Sequence, residues 1–114
     1  MRLALILALL AQSALAASPP TTCNLVGDYE KALCAYQRRN FGEAEIAFRR
    51  IAERDQQDAQ TIRSLYFLAR TLMKTGRYDE ASALLIRIYA LDQAFYQAWN
   101  GDFLLGECRK ALGK

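Results

Sequence analysis

Downstream of residue 26 the apolar residues recur at helical spacing. The clearest run is Ile62, Leu65, Leu68, Ala69 and Leu72, at i, i+3, i+6, i+7 and i+10, which places all five on one helix face. The pattern breaks at Asn40-Phe41-Gly42 and at Thr75-Gly76-Arg77, where glycine can adopt the left-handed conformation that closes a helix. The polar stretch from Gln56 to Gln60 ends another apolar run, and no proline follows Pro20. These signals predict five helices, over 27–39, 42–54, 59–75, 78–91 and 96–111. Connections of only a few residues predict antiparallel hairpins and an all-α fold without a sheet.

The helical pattern repeats itself. Phe41, Glu43, Ala44, Phe48, Arg50, Ile51, Asp55 and Gln56 recur 37 residues later as Tyr78, Glu80, Ala81, Leu85, Arg87, Ile88, Asp92 and Gln93. Tyr29 and Ala32 recur as Tyr66 and Ala69, then as Phe103 and Gly106. A fixed period of this size marks stacked helical hairpins.

Leu65, Leu68, Ala69, Leu72, Gly76, Tyr78, Ala81, Leu85 and Ile88 resemble the tetratricopeptide repeat family, with Gly76 to Ala81 as the turn and second-helix signature. The likeness covers residues 62–93 well and 28–56 less fully. It departs from the family in three ways. Gln56 and Gln93 stand where a proline is usual, the period is three residues longer, and Arg39 or Asn40 replaces the first turn glycine. Gly27 to Ala32 offers a rival second-helix register, but the Phe41–Ile51 match begins too soon after it. The resemblance implies a short solenoid with repeats over 27–56 and 59–93. A final solvating helix over 96–112 would close it, with Trp99, Phe103 and Leu104 packed on the second hairpin. It also implies an interaction scaffold that binds a protein or peptide.

The start of the chain points to a compartment. Arg2, the apolar run Leu3–Ala11 and the small residues Ala14-Leu15-Ala16 read as a secretory signal over 1–16, too short to span a bilayer. Residues 17–26 then form a linker, since Pro19 and Pro20 block helix. Removing Arg2 lowers the formal net charge from +3 to +2, too little to argue for nucleic acid. A periplasmic or secreted location follows, with no membrane span in the mature chain.

The chain contains no histidine, no glycine-rich phosphate loop and no CxxC or zinc spacing, so no enzyme, metal site or cofactor is expected. Of the three cysteines, Cys34 and Cys108 lie two periods apart, on equivalent faces of distant helices. Cys23–Cys34 is the feasible disulfide, the segment between them turning back along the first helix. The alternative is three unpaired thiols. For binding, Arg63, Tyr66, Arg70, Met73 and Lys74 form one stripe at i, i+3, i+7, i+10 and i+11. The resemblance makes that stripe the wall of a concave groove, continued by Tyr29, Leu33 and Tyr36 and closed by Phe103. Its basic and aromatic character suits an acidic segment. A solvated charged face beside a half-buried tyrosine is the alternative.

Overall fold

A computed structural model describes residues 23, 26–54 and 57–114. The expected signal segment over 1–16 and most of the linker lie outside the described residues, as do Asp55 and Gln56. Six helices and no strand are present among the described residues: α1 (Asp28–Gln37), α2 (Phe41–Ala52), α3 (Ala59–Lys74), α4 (Tyr78–Leu91), α5 (Gln93–Ala98) and α6 (Gly101–Ala111). From α1 to α4 each helix packs on the next, and α4 then receives both α5 and α6.

The core follows the apolar spacing. Phe48 and Ile51 of α2, Leu65, Leu68 and Leu72 of α3, and Leu85 and Ile88 of α4 are buried together. Ala32 and Ala44 are completely buried in the first pair of helices, as are Ala69 and Ala81 in the second. Small residues there let neighbouring backbones approach closely. Helix starts are secured by short acceptors. Asn40 accepts from the Glu43 N–H, Asp58 from Thr61 and Asp92 from Phe95.

The period is also written into the backbone. Arg39, Gly76 and Gly113, each 37 residues from the next, are left-handed, with φ of 63°, 82° and 76°. The following N–H groups, of Asn40, Arg77 and Lys114, donate to the carbonyls of Ala35, Leu72 and Arg109, all at 2.9 Å. This is one helix-ending turn made three times. Helix α6 therefore occupies the same place in the period as α1 and α3. The first turn makes this geometry without glycine, and the Arg39 guanidinium lies 5.4 Å from the Phe41 ring centre. Left-handed backbone costs a side-chain-bearing residue about 1–2 kcal/mol. Arg39→Gly should therefore raise stability by about 0.5–1 kcal/mol, after the greater unfolded-state freedom of glycine is subtracted. Chemical denaturation measures this directly, and a loss of stability would show that the Phe41 contact outweighs the strain.

The expected single helix over 96–111 is two helices meeting at a corner. Asn100 is left-handed (φ 60°, ψ 41°), a conformation asparagine tolerates better than most residues. Asn100-Gly101 is a turn signal, and it divides the expected helix. The packing expected of this segment is met only in part. Trp99 packs edge-on against Tyr66 and Phe67 of α3, at 5.0 and 6.2 Å, and Leu104 is half-buried, but Phe103 remains 66% exposed.

An ion-pair network joins the two halves. Glu45 of α2 accepts from Arg49 (3.0 Å) and from Arg77 (2.7 Å), while Arg77 also holds Glu80 at 2.8 Å. Partial burial alone would raise the Glu45 carboxyl, but the hydrogen bonds and charges of Arg49 and Arg77 hold it below its ordinary value. A depressed folded-state pKa contributes stability above the unfolded value of about 4.3, and that contribution is lost as pH falls through the folded value. Both arginines are more than a third exposed, so solvent screening limits the effect to about 1 kcal/mol or less. Glu45→Gln should lower the melting temperature at neutral pH and flatten its decline below about pH 4.3. A melting profile with an unchanged acid limb would mean that Glu45 carries none of it.

Candidate functional site

Three helices present one face at matching positions. Tyr29, Leu33 and Tyr36 of α1 correspond to Tyr66, Arg70 and Met73 of α3, and to Phe103, Glu107 and Lys110 of α6. Between α3 and α6 these positions, Tyr66 excepted, line a groove of about 590 Å³. Arg70, Met73 and Lys74 form one wall, and Phe103, Glu107 and Lys110 the other. Leu104 and Tyr78, both half-buried against the core, add apolar lining.

The expected stripe divides into parts with different roles. Tyr66 is only 7% exposed. Its ring meets Phe67 at 5.2 Å, Trp99 at 5.0 Å and Phe95 at 5.9 Å, so it is a structural hub beneath the groove, where an open contact surface was expected. Arg70 is half-buried, with its guanidinium 5.8 Å from the ring centres of both Tyr36 and Tyr66. Cation–π attraction to two rings ties α1 to α3 and leaves Arg70 less available to a ligand. Met73 is half-buried and Lys74 exposed, both at the groove. Arg63 is exposed and does not line the groove. It lies on the Tyr29 side: burial pushes the Tyr29 phenol up, and the Arg63 charge opposes this. Tyr29 itself packs edge-on against Phe48 and Phe67.

Glu107 and Lys110 did not emerge from sequence reasoning. Both stand one period after Arg70 and Met73, but the expected face reaches the last helix at Phe103 alone. Glu107 makes the groove mixed in charge, where a purely basic wall was expected.

The disulfide is Cys23–Cys34, with Cα atoms 5.7 Å apart, and it fastens residue 23 to α1. Cys108 carries a free thiol and is completely buried. It occupies the position of Cys34 and Thr71 in the period, also buried residues. Burial pushes its thiol up, and the nearby Glu107 charge adds to this. A reactive cysteine needs accessibility and a lowered pKa, so this thiol behaves as a small core side chain.

No family model, curated protein or solved structure matches the chain.

Proposed function

We propose that the chain is an exported interaction scaffold of tetratricopeptide-like construction, which binds a segment of a partner protein along the inner faces of α1, α3 and α6. The observation that carries this reading is the repetition of one helix face in three helices, with an open groove between the last two. A continuous face built from periodic positions suits an extended segment, which can meet successive helices with successive side chains. The recurring left-handed turn supports a short solenoid. Helix α6 has the character of a closing helix, because Asp102 and Arg109 occupy the positions that carry the buried Leu65 and Leu72 in α3. A polar outer face is what the last element of such a stack requires. Export accords with the leader-like residues 1–16 and with the disulfide. Among the described residues no helix is long and apolar enough to cross a membrane.

Phe103 provides the test, because it is the exposed aromatic of the groove and removing it disturbs little of the core. Phe103→Asp should leave the melting temperature nearly unchanged and weaken capture of the partner from an envelope extract at least tenfold, the order expected for an aromatic anchor at an interface. Undiminished capture would show that the groove is not the binding surface.

A second reading is a subunit docked into a larger assembly without a peptide groove. Docking through the closing helix and Trp99 is disfavoured, because Trp99 stacks on Phe95 and meets Tyr66 edge-on. The outer face of α4 favours it better. Ile86 is exposed there, at the position where α2 carries Arg49, and Leu91 is exposed at the end of α4, one period after Arg54. Ile86→Asp separates the two readings: it abolishes assembly in the second and leaves segment binding intact in the first.

A further inference from the structure

We propose that the groove between α3 and α6 selects a partner segment of mixed charge, with an acidic and a basic side chain on either side of an apolar one. This rests on the peptide-binding reading above and specifies its ligand. Lys74 and Lys110 line opposite walls, are exposed, and make no ion pair among the described residues. Arg70, the third cation, is engaged by the rings of Tyr36 and Tyr66. Glu107 is likewise exposed in the groove without an ion pair among the described residues.

The groove thus offers charge of both signs, uncommitted and close together. A purely acidic segment would satisfy the two lysines but meet repulsion from Glu107. A segment that also carries a lysine or arginine turns that repulsion into attraction. Phe103 lies one helical turn before Glu107 on the same face, so a basic side chain reaching Glu107 also finds an aromatic ring within reach. Met73 and Leu104 supply the apolar seat between the charged positions. Like charge facing like is the usual means by which an interface rejects a wrong partner, and Glu107 has that role here.

The test uses three fluorescein-labelled peptides with a central leucine, flanked by Asp and Lys, by two Asp, or by two Lys. Their binding to the purified, disulfide-bonded chain is followed by fluorescence anisotropy at low salt. The wild type should bind the mixed peptide about fivefold more tightly than either alternative, the order expected for one exposed charge pair. Glu107→Lys should reverse the preference in favour of the doubly acidic peptide. Circular dichroism confirms that this variant is folded. If the wild type binds the acidic peptide as tightly as the mixed one, or the order survives Glu107→Lys, the mixed-charge selectivity is wrong and the peptide groove still stands. If none of the peptides binds, or binding persists in Phe103→Asp, the groove reading fails and the selectivity fails with it.

Discussion

Tyr66→Ala should destabilise the domain by about 3–5 kcal/mol, the cost of deleting a large buried aromatic side chain. For a domain of this size that lowers the melting temperature by roughly 12 °C or more. Tyr66 is where the two halves of the molecule meet. Its ring contacts Phe67 within α3 and also Phe95 and Trp99 of the α5 corner, while Phe67 contacts Tyr36 and Phe48 of the first two helices. Truncation opens a void bounded by several elements, which cannot all collapse into it. Tyr66→Phe is the control. The hydroxyl has only a long 3.5 Å contact from Arg70, so its removal should cost less than about 1 kcal/mol. Denaturant titration of both variants checks this. A mild Tyr66→Ala phenotype would return Tyr66 to the open binding surface that its position in the stripe suggested.

Gly101→Ala should cost about 1–3 kcal/mol, although alanine is the better helix former. A methyl group added at Gly101 would lie 2.2 Å from Cδ2 and 2.3 Å from Cε2 of the Tyr96 ring. The ring is 3% exposed, and its hydroxyl donates to Asp102 at 2.8 Å. It must therefore move, and in moving it gives up that hydrogen bond and its edge contact with Tyr89. A spectroscopic signature accompanies the loss. Burial, helped by the Asp102 bond and its charge, pushes the Tyr96 phenol up to about 12. In the variant its titration should fall back toward the ordinary value of about 10. The sign follows from linkage. A phenol whose folded pKa is raised contributes stability below about pH 10, and this is lost as pH rises toward 12. Gly106→Ala is the matched comparison, since nothing lies within 4 Å of the added methyl. There the helix should gain roughly 0.5–1 kcal/mol. Equal effects at Gly101 and Gly106 would remove the steric basis for the corner.

The helices were legible because their apolar positions follow a single period. Ile62, Leu65, Leu68, Ala69 and Leu72 all proved to be buried core. The Cys23–Cys34 pairing was legible because the period excluded the distant partner. The corner at Trp99-Asn100 was less so: apolar residues continue on both sides of it, and only the Asn-Gly pair marks the break. The groove was half legible. A stripe along α3 identifies residues that share a helix face, but not which of them a neighbouring helix covers. Tyr66 is covered by Phe95 and Trp99 of the α5 segment, which the apolar pattern does not separate from α6. Phe103 was left exposed by the same turn of the chain, and with it Glu107 and Lys110 entered the groove.

Site-specific photo-crosslinking in cells tests the groove most directly. A benzophenone side chain placed at Lys74 or Ala111 lies at the groove, and one placed at Ala90 lies on exposed α4 surface outside it. A segment bound along the inner faces is captured by the probes at Lys74 and Ala111 and missed by the probe at Ala90, and Phe103→Asp abolishes the capture. Partner cross-links at Ala90, with none at Lys74 or Ala111, would place binding on α4 and contradict the groove.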